Sequence, residues 1–308
     1  MTRHAAPARD PAARAGLAVL AYAALVVLTW GSNYPLMKLA FQDIGPLTFS
    51  AARLLGGAVT VALWIVAQRR HGLLPQGGEG WRLGGIGLLQ LAAVLGFSGI
   101  ALQVLPAGRT ATAVYSMPLW AALFGMALRR ERLAPRRLLG VAVSLAGLSL
   151  FMDPSVIAWH DPGSQQGMVM VLCAAALWGL GAVLYGMHAW RTPLLAQTLW
   201  QLLAAGLLMS CLAFWLEAGR PVRWSPTLVA VLAWNFVGPT ALAVWAWSQV
   251  LRRVPAAVAG QLLMSTPLVG ILCSVLIFGE DLPGAFLLSA FFVTLGGLLV
   301  LLPERRGR

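Results

Sequence analysis

The sequence predicts an all-α integral membrane protein of ten transmembrane helices arranged as two inverted five-helix repeats. Three observations carry that expectation. The chain is 59% hydrophobic and 10% charged, with a mean hydropathy of +0.78, and its apolar runs reach the ~20 residues that a helix needs to cross a bilayer. The chain is also written twice. An offset of 148 lays Trp178-Gly179 on Trp30-Gly31 and Trp200-Gln201-Leu202-Leu203 on Ala52-Arg53-Leu54-Leu55. With the offset grown to 149, Ser265-Thr266-Pro267-Leu268 falls on Ser116-Met117-Pro118-Leu119, Glu280 on Glu131 and Gly296 on Gly147. Five spans per copy is an odd number, so the second copy enters the membrane from the opposite side. Finally, the cations are sorted. Of the arginines outside the spans, 17 flank one side of a ten-span drawing and only Arg109, Arg220 and Arg223 flank the other. By the positive-inside rule this places both termini in the cytoplasm.

The elements follow in order. Residues 1–16 are rich in Ala, Pro and Arg and read as a disordered cytoplasmic tail; the run after them is too long for a signal peptide. The first span, 17–39, holds Asn33 and Tyr34, with Lys38 at its outer end. The second, 47–67, begins after Pro46 and contains Arg53; the third, 83–104, contains Gln90 and Ser98. The fourth, 110–128, carries Tyr115, Ser116 and Pro118 and runs into the arginine-flanked Glu131. The fifth, 138–152, contains Gly140 and Gly147, and 153–166, with Pro154, Pro162 and Gly163, reads as a periplasmic connector between the repeats 17–152 and 167–302. In the second copy, the spans are 167–188 with Trp178 and Tyr185, 194–216 with Trp200 and Gln201, and 227–250 with Asn235, Thr240 and Trp245. The last two are 256–278 with Gln261, Ser265 and Pro267, and 284–302 with Gly296 and Gly297, before a basic cytoplasmic tail at 303–308.

A net charge of +12 would suggest nucleic acid as the partner of a soluble chain; here its distribution reads as topology. Cys173, Cys211 and Cys273 fall inside spans with no C-x-x-C spacing and read as packing residues, and His4, His71, His160 and His188 are scattered, so no metal site is expected. No phosphate-cradling glycine loop is present, so no ATP-driven step and no cofactor are expected. The 21 arginines to a single lysine fit a GC-rich bacterial genome.

The order and spacing of Trp30-Gly31-Ser32-Asn33-Tyr34-Pro35, Pro46 with Arg53, Pro118 with Glu131-Arg132-Leu133, Gly140 and Gly147, and then Pro267, Glu280 and Gly296, resemble the EamA branch of the drug/metabolite transporter superfamily. The resemblance covers nearly the whole chain. It implies ten helices in two inverted repeats, a central cavity formed mainly by the first four helices of each half, and export of small metabolites. The sequence departs from strict duplication where Gln201 stands opposite Arg53, so that charge is not repeated.

Arg53 lies six residues inside its span, or roughly 9 Å down a helix that rises 1.5 Å per residue. A guanidinium at that depth faces a wet cavity or a partner, or it snorkels and bonds free carbonyls. Lys38 reads as a snorkelling residue. No Asp or Glu stands in the middle of a span, which argues against a carrier of permanent cations and for carboxylate-bearing or zwitterionic solutes. Candidate substrate contacts are Asn33, Tyr34, Arg53, Tyr115, Trp178, Tyr185, Gln201, Asn235 and Gln261. Each also has a duller reading, since Trp and Tyr enrich at membrane interfaces and amides bond between helices. Pro118 and Pro267, which would bend their spans, are candidate hinges. Glu131 and Glu280 are candidate gating residues or interfacial partners of arginine.

These features predict a secondary or facilitative carrier of the bacterial inner membrane, exporting amino acids or related small carboxylate-bearing metabolites by alternating access around a midplane site. Its partners would be the substrate and the bilayer, with a second copy of the chain as a further candidate. An exporter of lipophilic drugs is the alternative, and a nucleotide-sugar carrier would call for more embedded cations. A membrane enzyme would need gathered acids, histidines or a metal constellation, and a sensor would need an appended output domain.

Overall fold

Lipid offers no partner to a backbone N–H or C=O, and a helix satisfies nearly all of its own. In the computed structural model the apolar runs are accordingly helical. The structure describes residues 11–69, 72–105, 110, 113–130, 134–150, 161–278 and 286–301. The first half comprises α1 (Pro11–Ala40), α2 (Pro46–Ala67), α3 (Gly80–Ala101), α4 (Met117–Arg129) and α5 (Pro135–Ser149). The second comprises α6 (Pro162–Met187), α7 (Leu194–Leu216), α8 (Pro226–Leu251), α9 in two pieces (Ala256–Leu263 and Thr266–Phe278) and α10 (Phe286–Leu301). Seven stretches among the described residues, in α1, α2, α3, α6, α7, α8 and α9, are long and apolar enough to cross a bilayer, and shorter apolar helices lie at α4 and α10. Glu131 and Glu280 lie outside the described residues.

Helix contacts show the inversion directly. The C-terminal end of α7 meets the N-terminal end of α2, where the Glu217 carboxylate accepts from the N–H groups of Leu47 and Thr48 at 3.0 and 2.8 Å and from the Thr48 hydroxyl at 2.6 Å. At the far end of the same pair, Glu79, in the turn before α3, accepts from the N–H groups of Arg191 and Thr192, both at 2.9 Å, and from the Thr192 hydroxyl just ahead of α7. One carboxylate thus ties the end of α7 to the start of α2, the helix that carries Arg53, and the other ties the start of α3 to the start of α7. Contacts elsewhere obey the same exchange of halves: α1 packs on α9 as α6 packs on α4, and α3 packs on α7 as α8 packs on α2.

Irregularities in the helices are duplicated too. α3 widens into a π-helical turn at Leu88–Ala92 and α8 does so at Phe236–Leu242, starting points that differ by the 148-residue repeat offset. π-turns leave carbonyls short of partners and collect at functional sites. Here the indole N–H of Trp30 donates to the Pro239 carbonyl at 2.8 Å. The turn at Tyr115–Ser116 ahead of Pro118 recurs at Met264–Ser265 ahead of Pro267. Each interruption therefore precedes its proline, which sits in the first turn of the following helix, where a missing N–H removes no helical bond. Pro118 packs against Gly260 on α9, so the two interrupted helices meet at their breaks.

The Trp-Gly pairs have a packing reason. A Cβ on Gly31 would stand 2.8 Å from the Thr266 carbonyl of α9, and one on Gly179 would stand 2.8 Å from the Ala121 backbone nitrogen of α4. Both glycines let an N-terminal helix of one half lie against the fourth helix of the other. Gly179→Ala should therefore overpack α6 against α4 and cost about 1–3 kcal/mol, read as a fall in thermal stability of the purified protein in detergent. An unchanged midpoint would show that this contact is loose. Gly147 and Gly296, another repeat pair, seat α5 and α10 on one another. The cysteines depart from expectation. All three are free, and Cys173 and Cys211 are exposed on the outer face rather than packed inside, where an apolar thiol is compatible with lipid.

Candidate substrate cavity

Both π-turns open onto one cavity. It encloses about 80 Å³ of free volume, is in part open to the surface, and is lined from α1, α2, α3, the start of α4, α6 and α8. Its wall chemistry is that of a small-molecule site, apolar with a few polar groups that could orient a ligand. Leu54, Leu91, Val94, Leu95 and Val244 form the aliphatic wall, and Trp30, Tyr34, Tyr115 and Trp178 the aromatic one. Trp30 and Trp178, the same residue in the two repeats, are joined through buried Trp247, whose ring centroid lies 6.3 and 4.7 Å from theirs. Tyr34 and Tyr115 meet edge to face at 6.3 Å.

Among the described residues Arg53 is the one cation lining this cavity, and it is 5% exposed. Its Nε donates to Thr240 Oγ1 in the second π-turn at 3.3 Å, and its Nη1 reaches Met37 Sδ at 3.6 Å. Both are weak, neutral acceptors, and among the described residues no carboxylate lines the cavity. Three further polar atoms on its wall are buried without a partner: Asn33 Oδ1, Gln90 Nε2 and Ser98 Oγ. A buried polar atom left unpaired costs about 1–3 kcal/mol. All three residues share the cavity wall with the Arg53 guanidinium.

The model of the EamA-like transporter family matches residues 17–152 and 165–302. The chain belongs to the EamA-like transporter family. It is therefore a multi-pass membrane transporter rather than an enzyme. Among its relatives is the uncharacterized transporter YoaV of Bacillus subtilis, 26% identical over 274 residues that cover 88% of this chain and 92% of that one. A protein of Salmonella typhimurium named as a probable amino-acid metabolite efflux pump is 27% identical, with 89% and 91% covered. A solved crystal structure covers 92% of this chain and 96% of its own at a TM-score of 0.77 and 20% identity, which shows the shared fold.

Within this EamA-like frame, the candidate residues divide. Asn33, Tyr34, Arg53, Tyr115 and Trp178 come together in the cavity. Gln201, Tyr185, Asn235 and Gln261 are buried but do not line it. The Tyr185 hydroxyl donates to Gln197 Oε1 at 2.6 Å, Asn235 Nδ2 donates to the Val231 carbonyl at 2.9 Å, and Gln261 Nε2 donates to Ser144 Oγ across to α5. Gln201 lies where α7 touches Gly87 of α3. Inversion explains part of this division: Gln201 and Tyr185 are the repeat counterparts of Arg53 and Met37, so they lie toward the other end of the antiparallel α2–α7 pair. Lys38 is exposed at the end of α1, away from the cavity. Sequence reasoning missed Met37, Pro239 and the two clamping carboxylates. Pro239 in mid-span was the available signal, because a proline there interrupts the regular helical hydrogen-bond ladder.

Proposed function

We propose that this transporter is a secondary active or facilitative carrier of the bacterial inner membrane that exports amino acids or related small carboxylate-bearing metabolites by alternating access. The observation that carries the reading is the Arg53 guanidinium, buried in the cavity with neutral partners only, on a wall that also holds unpartnered polar atoms of Gln90, Ser98 and Asn33. Arg53, Gln90 Nε2 and Ser98 Oγ can donate to a substrate carboxylate. Asn33 Oδ1 can accept from an ammonium, and the leucine and valine wall suits an uncharged side chain. The relative named as an amino-acid metabolite efflux pump supports this substrate class. Both termini lie in the cytoplasm on the arginine distribution, with 17–152 and 167–302 as the two repeats and 153–166 as their periplasmic connector.

Alternation is carried by the paired interruptions ahead of Pro118 and Pro267, where α4 and α9 meet, with Glu131 and Glu280 beyond them at the ends of the same spans. A second reading, export of lipophilic drugs, is favoured by the four aromatic rings on the wall. Uptake into everted membrane vesicles of labelled neutral amino acids, organic acids and quaternary ammonium dyes separates the two. Accumulation of carboxylate-bearing solutes is the expected result. Transport of dyes alone would overturn the carboxylate reading in favour of a drug carrier.

A further inference from the structure

We propose that between transport events the cavity holds a small monovalent anion, chloride in the cell, bound by Arg53, and that the substrate carboxylate displaces it. The inference rests on the carrier reading above and names what occupies the same site when substrate is absent. A guanidinium stays charged in a protein, and a buried charge without a counter-charge or good hydrogen bonds is strongly unfavourable. What the protein supplies to Arg53 is one hydroxyl at 3.3 Å and one thioether at 3.6 Å. Among the described residues no carboxylate pairs with it.

Two other side chains on the same wall point to an anion. Gln90 and Ser98 are 5% and 6% exposed, and their Nε2 and Oγ atoms have no partner. Both can donate. One cation that shares an apolar wall with neutral donors balances one negative charge; a dianion such as sulfate would bring an uncompensated charge into a site of low dielectric. Asn33 Oδ1 is an acceptor, which a bare anion cannot use and a substrate ammonium can. Chloride is thus the weaker occupant, and its exchange for substrate keeps the guanidinium neutralised throughout the cycle.

The test is a titration of the purified transporter with sodium chloride, with the ionic strength held constant by sodium sulfate, followed by tryptophan fluorescence, since Trp30 and Trp178 line the cavity. The expected result is a saturable change that bromide and acetate reproduce, that sulfate does not, and that Arg53→Gln abolishes. With chloride at about ten times its own dissociation constant, the apparent Kd of L-leucine should rise about tenfold by competition. No saturable change in the wild type, or an undiminished one in Arg53→Gln, overturns the proposal. If Arg53→Gln cannot be purified folded, Gln90→Leu reads the same site. Loss of one donor should weaken chloride about threefold or more, and an unchanged affinity counts against the proposal. Chloride binding that no amino or organic acid displaces would keep the anion site and sink the carboxylate carrier. Carboxylate transport indifferent to chloride would do the reverse.

Discussion

Arg53→Ala is expected to reduce uptake of carboxylate-bearing substrate into everted vesicles by about 10- to 100-fold, while leaving the protein as stable as the wild type or more so. The first half follows from what is lost. A hydrogen bond to a charged group contributes about 1.5–3 kcal/mol, and each 1.4 kcal/mol is a factor of ten in affinity. The second half follows from how little the protein gives the guanidinium in return. Thr240 Oγ1 and Met37 Sδ are its only hydrogen-bond partners among the described residues, and replacing a poorly compensated buried charge by an apolar group is often neutral or stabilising. Arg53→Lys keeps the charge and loses the planar fork, so it should recover part of the activity. The combination separates a binding residue from a structural anchor: an anchor would lower the unfolding midpoint together with transport. Equal transport by wild type and Arg53→Ala, at equal expression, would remove Arg53 from the substrate path.

Glu79→Ala should give the opposite pattern, a loss of stability that drags activity with it. The carboxylate is 4% exposed and accepts from two backbone N–H groups, the Thr192 hydroxyl and His188 Nε2 at 3.2 Å. Removing it strands donors just ahead of α7 and frees the start of α3 from the start of α7, at a cost of about 2–4 kcal/mol. The same clamp makes stability depend on pH. Burial by itself would raise the Glu79 carboxyl, but the Arg191 N–H, the Thr192 hydroxyl and N–H, and His188 together outweigh it and hold the pKa at about 2, below the ordinary 4.5. A carboxyl depressed on folding contributes stability that is complete above its unfolded value and is lost as pH falls toward the folded one. Between about pH 4.5 and pH 2 the wild-type unfolding midpoint should therefore drop more steeply than that of Glu79→Gln. Parallel curves for the two proteins would show that the clamp contributes no acid sensitivity.

Much of the fold was legible because the signals are one-dimensional. Trp30-Gly31 and Trp178-Gly179 can be aligned without coordinates, apolar length reports the spans, and arginine placement predicts the sides. Arg53 was legible as a candidate for the same reason, since a lone cation inside an apolar run stands out, and it lines the cavity. The π-turns were not. Nothing in the string from Leu88 to Ala92 forbids an ordinary helix, and widening there depends on the neighbours that α3 meets. Glu79 and Glu217 escaped notice for a related reason. Each bonds a segment more than 100 residues away, and no local pattern distinguishes a clamping carboxylate from a solvated one.

The polar residues make the same division sharply. Composition established that Asn33, Gln90, Gln201 and Asn235 would be buried, because helices in a bilayer have few places to expose an amide. Which of them would face open space was not determined until the helices were packed. Asn33 and Gln90 line the cavity, whereas Gln201 abuts α3 and Asn235 bonds back to its own helix. By itself, then, the sequence determined the membrane fold, the inverted repeat and the charge that marks the site. Only the tertiary structure decided which side chains share the cavity with that charge, because hydrophobicity and repeat register act along the chain, whereas a cavity is whatever volume the packed helices leave unfilled.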